Sequence, residues 1–249
     1  SHFLGQNFSK PFEVKFADKD NVEHFAWQTS WGVSWRLIGA MIMIHGDDKG
    51  LVLPPKVAPM QVVIVPIYRN DEGKDIVLPK VNEIEERLES LNIRVHVDNR
   101  EGLSPGYKFN DWELKGVPIR IEIGPKDIEK QSVVIARRYD SEKSNVKFSD
   151  IEKIPLMLEE IQGLMLEKAR NQSKENTVSI SDYEEFKSKV EKGGFFNSPW
   201  CGKLECEDKI KEETGAEIRV VPWNSEDTTQ KCIYCNEQSV SVPIFARGY

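Results

Sequence analysis

The sequence lacks any long hydrophobic run. Its longest apolar stretch is the eight residues from Leu37 to Ile44, whereas about 18 are needed to span a bilayer. No basic stretch followed by an apolar core opens the chain, and no internal repeat or low-complexity tract is visible. Hydrophobic residues nevertheless make up 39% of the 249 residues and charged residues 30%. We therefore expect a cytoplasmic protein with a buried core, without a membrane partner.

Cysteine is scarce and confined to the last fifth of the sequence. The four cysteines have the spacing C-x4-C, 25 residues, then C-x2-C, and they are Cys201, Cys206, Cys232 and Cys235. A C-x2-C turn holds two thiolates as one edge of a tetrahedral zinc site requires. Two disulfides or four unrelated buried thiols are the alternatives. Since no secretory signal is visible, the pattern favours a structural zinc ion.

Excess positive charge is also lacking, because the formal net charge is −7 and the sequence pI is about 5.3. This average argues against a general nucleic-acid binder. The charge is uneven, however: residues 149–249 carry 13 basic and 19 acidic groups, net −6, whereas residues 94–138 carry nine and seven, net +2. A local site for a polyanion therefore remains open in the middle of the chain.

Apolar spacing and turn residues divide the chain into three segments. In residues 1–60, the run from Leu37 to Ile44 predicts full burial, as helix or strand. Residues 61–170 alternate strands with helices, which predicts a βαβ sheet. A polar stretch, Asn171 to Asn176, predicts a linker to the cysteine-bearing segment. The predicted elements of the middle segment are strands at Gln61–Ile67, Ile93–Val97, Val117–Ile123 and Ser132–Ala136, and helices at Pro79–Leu91, from Ser104 to Gly116, and Ile151–Met165.

Two groups of side chains could bind a nucleotide or a base. Arg120 and Glu122 share one strand face, and Phe109 and Glu113 lie one helical turn apart. Arginine reads guanine edges and exposed aromatics stack on unpaired bases, but a solvated face with cross-strand ion pairs fits the same pattern. Near the start, Arg36 follows two tryptophans and could clamp a phosphate or stack on a base. A surface arginine beside core tryptophans is the alternative there.

The segment around the tryptophans has a specific likeness. Gln28-Thr29-Ser30-Trp31-Gly32, followed by Arg36 and then by His45 to Pro55, closely resembles the motif 3 region of prolyl-tRNA synthetases. The opening His2 to Phe8 resembles the same region. Ser104 to Pro118 resembles the anticodon-binding domain of that family. The tail with the cysteines is similar to the extra C-terminal domain of the archaeal/eukaryotic-type branch.

This resemblance implies a fold in three parts and a reaction. The fold is α/β and α+β: the end of a class II antiparallel catalytic sheet over 1–60, a βαβ anticodon-binding domain over 61–170, and a small α+β zinc domain over 171–249. The family activates proline with ATP and Mg²⁺ to prolyl-adenylate and transfers it to tRNA(Pro). Positioning and charge neutralisation supply most of the catalysis in such a phosphate displacement.

The resemblance also implies roles for individual residues. ATP is assigned to Arg36, the catalytic motif 3 arginine, and to Gln28, Ser30 and Ser34. Proline is assigned to His2, Trp31 and Gly32. Anticodon reading is assigned to Phe109, Glu113, Arg120, Lys126 and Asp127, and a structural Zn²⁺ to the four cysteines. The carboxylate of Tyr249 ends a tail that folds back toward the active site in this branch.

Motifs 1 and 2 of the family would lie upstream of Ser1. We therefore expect a C-terminal portion that is active only with the N-terminal half of the catalytic domain, in a homodimeric full enzyme. The alternative is a non-catalytic module that binds the tRNA anticodon and zinc but never forms adenylate.

Overall fold

The computed structural model describes residues 1–226 and 229–248, so the expectation for Tyr249 lies outside the described residues. The chain forms two compact units, Ser1–Ile161 and Gln162–Tyr249. No helix in the described ranges is long and apolar enough to cross a bilayer.

The first unit opens with two small antiparallel sheets. Strand β1 (His2–Gly5) pairs with β4 (Gln28–Ser30), and β2 (Lys15–Ala17) pairs with β3 (Glu23–Phe25). Their antiparallel pairing agrees with the predicted type of sheet. Helix α1 (Arg36–His45) follows.

The prediction that the run from Leu37 to Ile44 is fully buried is wrong. The run forms α1, but α1 has no buried residue, and Leu37 and Met43 are 59% and 65% exposed. A continuous apolar run signals burial only if a partner surface covers it, and Leu37, Ile38 and Ile44 are about half exposed or more. Apolar surface of this extent typically marks an interface with another segment or molecule.

A five-stranded mixed sheet forms the centre of the first unit and confirms the predicted βαβ arrangement. The strands are β5 (Val62–Pro66), β6 (Val95–Val97), β7 (Ile119–Ile123), β8 (Ser132–Arg137) and β9 (Lys143–Lys147). Their order is β6-β5-β7-β8-β9. Strand β5 runs parallel to both neighbours, as strands joined by crossover helices do, while β7, β8 and β9 are successively antiparallel.

The helices around this sheet begin close to their sequence signals, with one exception. Helix α3 (Pro105–Leu114) starts as predicted, with the Ser104 hydroxyl accepting from the Tyr107 amide at 3.3 Å. Helix α2 (Asp71–Ser90) starts eight residues before the predicted Pro79, which lies inside it. The Asn70 side chain caps α2 by accepting from the Gly73 amide at 3.0 Å. Helix α4 (Pro125–Glu129), a 3₁₀ turn (Phe148–Lys153) and helix α5 (Ile154–Glu175) complete the set.

The two faces of the sheet differ. Ile119, Ile121 and Ile123 point to one face and are fully buried. The register places Arg120 and Glu122 beside Val63 and Val65 on the other face, which α3 covers over β5. The predicted strand at Val117–Ile123 begins two residues later, at Ile119, and Val117 packs with Val63 and Trp112 on the α3 face.

The second unit contains the rest of α5, from Gln162, followed in its described residues by a four-stranded sheet and two further helices. Strands β10 (Thr177–Ser179), β11 (Phe195–Asn197), β12 (Ala216–Val220) and β13 (Ile244–Arg247) have the order β10-β11-β13-β12. Helices α6 (Tyr183–Val190) and α7 (Leu204–Thr214) bury a core that includes Phe186, Phe196 and Phe245. The linker predicted from Asn171 to Asn176 is wrong, because α5 continues to Glu175.

Candidate functional site

A polar groove of about 340 Å³ opens on the α3 face of the sheet, lined by residues of α3, β7, β8 and β9. Five basic side chains and one acidic side chain contribute to its lining. They are Lys49, Arg120, Arg137, Arg138 and Lys143, with Glu113. Each of the five cations also pairs with a nearby carboxylate, so the groove is lined by charged groups of both signs.

Arg120 and Phe109 form the floor of the groove. The guanidinium carbon of Arg120 lies 4.4 Å from the centroid of the Phe109 ring, a cation–π contact. Its Nε and Nη2 donate to Glu122 Oε1 at 3.1 and 2.8 Å, and its Nη1 donates to the Phe109 carbonyl at 3.3 Å. Arg120 therefore takes part both in an ion pair, as the interpretation of a solvated charged face expects, and in a contact with an aromatic ring. The sequence pattern could not show that the two coexist.

Lys143 belongs to the same group, although the sequence reasoning missed it. The register places Lys143 opposite Ala136, which is opposite Arg120, so both cations lie on one face two strands apart. Its ammonium contacts Glu122 Oε1 at 3.0 Å and lies 5.5 Å from the Phe109 ring centroid. The alternation Lys143, Asn145, Lys147 in an exposed strand was the available signal.

Glu113 lies on α3 at the rim and is paired with Lys49, a residue from the first 60. The two charged groups are 3.1 Å apart. Nearby, Arg138 Nη1 donates to Asp47 Oδ2 at 2.8 Å, and Arg138 Nε donates to the Glu113 carbonyl at 2.9 Å. The hydrogen bond from Arg138 lowers the pKa of Asp47 to about 2. No local sequence signal indicates these pairings of Lys49 and Asp47, because they depend on tertiary structure.

Behind the groove, a buried carboxylate fixes α3. Asp98 is fully buried and accepts from the Trp112 indole at 2.7 Å and from Arg100 Nη2 at 2.8 Å. Its backbone carbonyl accepts from Lys108 at 3.0 Å. Burial alone would raise the pKa of Asp98, but the hydrogen bonds from Arg100 and Trp112 hold it well below its usual range. The carboxylate therefore stays charged and sets the rotation of α3.

Lys126 and Asp127 lie elsewhere, on α4, beyond the carboxyl end of β7. The Asp127 carboxylate accepts from the Gly124 amide at 2.8 Å, so it caps the helix that carries it. Lys126 is exposed. These two residues do not line the groove that holds Phe109, Glu113 and Arg120.

The residues of the motif 3 resemblance form an exposed group near the start of the chain. Pairing of β1 with β4 places His2 opposite Ser30 and Gly5 opposite Gln28. The Gln28 Oε1 atom is buried and has no hydrogen-bond partner among the described residues. The loop after β4 holds Trp31, Gly32 and Ser34, with the Trp31 ring 82% exposed, and Arg36 is the first residue of α1.

The four cysteines converge in the second unit. Cys206 lies on α7, Cys201 precedes it, and Cys232 and Cys235 lie on one turn. All four are free thiols with sulfur atoms within 4.8 Å of one another, and Cys201 Sγ is 3.5 Å from Cys206 Sγ and 3.7 Å from Cys235 Sγ. A tetrahedral S4 zinc site with Zn–S bonds of about 2.3 Å needs sulfur separations of about 3.8 Å. The cluster therefore has the donors and the spacing to hold a zinc ion.

Comparison with known proteins agrees with this layout. Residues 183–249 match the family model "Prolyl-tRNA synthetase, C-terminal", and residues 61–155 match "Anticodon binding domain". The chain is 57% identical to a proline–tRNA ligase of Cenarchaeum symbiosum over 251 aligned residues, and 49% identical to one of Porphyromonas gingivalis over 250. All of this chain is covered, with 52% and 51% of the two relatives.

A solved structure gives the same result. The crystal structure of prolyl-tRNA synthetase from Cryptosporidium parvum, complexed with L-proline and AMP, superposes with a TM-score of 0.91 at 41% identity. The match covers 100% of this chain and 54% of that one, so the chain spans about half the length of the relatives it matches. The chain thus belongs to the prolyl-tRNA synthetase family and corresponds to the C-terminal portion of its members.

Proposed function

We propose that this chain is the motif 3, anticodon-binding and C-terminal part of a cytoplasmic proline–tRNA ligase. In this proposal residues 1–60 complete a catalytic domain, residues 61–170 read the anticodon, and residues 171–249 form a zinc-bearing support. The observation that carries it is the groove in the anticodon-binding region, where an arginine stacks on an aromatic ring beside a half-buried carboxylate. Single-stranded RNA bases are read by this combination.

In the groove, the proline anticodon would present two guanines. Arg120 has two N–H groups beyond the three that bind Glu122 and the Phe109 carbonyl, enough for a bidentate contact with guanine O6 and N7. Glu113 would accept from the N–H edge, and Phe109 would stack under Arg120 or a base. Lys126 and Asp127, on α4, would contact the neighbouring nucleotide.

In the catalytic part, Arg36 would neutralise charge on ATP as the proline carboxylate attacks the α-phosphate and pyrophosphate leaves. ATP would arrive with Mg²⁺ on its phosphates. Gln28, Ser30 and Ser34 would contact the adenylate, while His2, Trp31 and Gly32 would bound the proline pocket. The exposed apolar face of α1 supports contact with the N-terminal half of the catalytic domain, in an enzyme that is a homodimer.

In the second unit, the four cysteines would bind Zn²⁺ as thiolates. A site closed by four protein ligands has no open position, so the metal would hold the loop of Cys201 and the turn of Cys232 and Cys235 against α7. Its contribution would be to folding rather than to the reaction.

The groove assignment is testable with a hairpin RNA whose loop carries the proline anticodon. Fluorescence anisotropy at fixed salt should give tighter binding to the loop with two guanines than to a loop with two adenines. Arg120→Ala should remove about 1–3 kcal/mol of this preference, the usual value of a bidentate base contact. Arg87→Ala is the matched control, because it also removes one ion-paired guanidinium. Arg87 lies on α2, outside the groove lining, and pairs with Glu152 at 3.2 Å. Equal loss of preference in both variants would contradict the assignment.

A further inference from the structure

The loop that follows α1 is fixed against the end of α3. The Leu51 amide donates to the Leu114 carbonyl at 3.0 Å, and the Leu53 amide donates to the Gly116 carbonyl at 3.2 Å. Gly50 has a φ of +127°, and a Cβ there would lie 2.6 Å from the Leu114 carbonyl oxygen. Gly116 has a φ of +71°, and a Cβ there would lie 2.5 Å from the Leu51 carbonyl oxygen. Two glycines therefore allow the two backbones to touch.

Arg138 fixes the loop at a second point. It is 5% exposed, binds the Asp47 carboxylate through both terminal nitrogens, and donates through Nε to the Glu113 carbonyl. One guanidinium thus connects the loop to the same turn of α3 that carries Glu113. Asp47 in turn accepts from the Lys49 amide at 2.9 Å, which fixes the backbone of Lys49.

These contacts place the Lys49 ammonium in the groove, 3.1 Å from Glu113 Oε1. The Lys49 side chain is 58% exposed, and exposed ion pairs add little to stability. Stability therefore does not account for a loop held so firmly to deliver one lysine. A role in base recognition does account for it, because the loop places Lys49 beside Glu113, the proposed base-reading carboxylate.

We propose that Lys49 is a third guanine-reading residue, supplied to the anticodon groove by the segment that also carries Arg36. The inference rests on the proposed function. Guanine presents, along its Watson–Crick edge, the N2 donor, the N1 donor and the O6 acceptor. The two Glu113 oxygens followed by the Lys49 ammonium offer acceptor, acceptor and donor in the matching order. In the same order adenine presents a C2–H, an unprotonated N1 that would face a carboxylate oxygen without a hydrogen bond, and an N6 amino donor that would face the Lys49 ammonium.

The test is hairpin RNA binding with Lys49→Met, which removes the donor and keeps the length of the side chain. Lys56→Met is the matched control, since Lys56 is 64% exposed and pairs with Glu159 at 3.3 Å away from the groove lining. Each anticodon guanine is replaced in turn by adenine and by inosine, which keeps O6 and N1–H but lacks the N2 amino group. Lys49→Met should lower the guanine-over-adenine preference about tenfold at one position.

Inosine distinguishes the contribution of Lys49 from that of Glu113. Lys49→Met should lower the affinity for guanine-containing and inosine-containing loops by the same factor, because both bases keep O6. Glu113→Gln should instead reduce the difference in affinity between the guanine loop and the inosine loop. Lys49→Arg, which keeps a donor and the charge, should recover part of the preference. Equal thermal unfolding of Lys49→Met and Lys56→Met verifies that both variants are folded.

Two failures are distinguishable. If the unchanged chain prefers guanine and Lys49→Met behaves like Lys56→Met, the role of Lys49 is wrong and the proposed function stands. If the unchanged chain shows no preference for guanine, the proposed anticodon function is wrong and the role of Lys49 falls with it.

Discussion

At the scale of single residues, the groove holds its charged groups in place before a ligand arrives. Arg120 is bound by the Phe109 ring, the Phe109 carbonyl and Glu122, and Glu122 is bound again by Lys143. A guanidinium fixed in this way loses less rotamer freedom when it binds a base. The network therefore favours recognition more than stability, because each of its charges was partly desolvated to form it.

The ion pair of Asp47 with Arg138 should make stability depend on pH. The hydrogen bond from Arg138 lowers the pKa of Asp47 from 3.8 to about 2, so the charged form is favoured in the folded state. Such a group contributes stability that is fully present above pH 4 and is lost as the pH falls toward 2. Because the carboxylate is 46% exposed, we expect about 1 kcal/mol rather than the full value of the shift.

Urea unfolding of Asp47→Asn against the unchanged protein measures this contribution. The variant should be less stable by about 1 kcal/mol at pH 7, and the difference should shrink between pH 4 and pH 2.5. Asp48→Asn, at the neighbouring exposed carboxylate, is the control. A deficit for Asp47→Asn that stays constant with pH would show that the ionisation of Asp47 is not coupled to folding.

At the scale of elements, α3 has two working faces, offset by one residue or about 100° around the helix axis. Lys108 and Trp112 are buried and bind Asp98, while Phe109 and Glu113 face the groove. Residues three and four apart share a helix face, so each pair stands one turn apart on its own side. The buried pair fixes the rotation of α3 and thereby the direction of the two groove residues.

Local sequence signals predicted the elements of the sheet better than their surroundings. The Ser104-Pro105 start of α3 and the alternation Ile119, Ile121, Ile123 depend on nearest neighbours, and both are confirmed. The exposure of α1 and the approach of Lys49 to Glu113 depend on what packs from far along the chain, which periodicity does not contain. The resemblance named the groove residues Phe109, Glu113 and Arg120. It grouped Lys126 and Asp127 with them, although these two lie on α4 outside the groove.

The cysteine cluster of the second unit should bind one zinc ion per chain. Elemental analysis should find this stoichiometry, and chelation should lower the thermal stability of the unit, since metal binding is coupled to folding. Cys206→Ser and Cys235→Ser should lose zinc equally, although Cys206 is buried and Cys235 only half-buried. Well under one zinc per chain, or a loss of stability only at the buried cysteine, would contradict a metal site and indicate packed thiols.

At the scale of the whole molecule, the distribution of charge matters more than its sum. The net charge of −7 arises mainly from residues 149–249, which carry −6, while the groove is lined by five basic side chains and one acidic one. Steering of an RNA depends on the local field near the groove, and salt screens any charge that lies more than about 10 Å from a given point. The acidic net charge of the chain therefore does not exclude an RNA site at the groove.

The most direct measurement of the central claim is proline-dependent exchange of pyrophosphate into ATP, with the chain joined to an N-terminal half that carries motifs 1 and 2. We predict that the joined protein is active and that Arg36→Ala lowers the exchange rate at least about a hundredfold, the usual effect of removing a group that stabilises transition-state charge. Arg120→Ala, in the anticodon groove, should leave exchange unchanged. Guanine-selective RNA binding without any exchange would contradict the claim and indicate a non-catalytic anticodon-binding module.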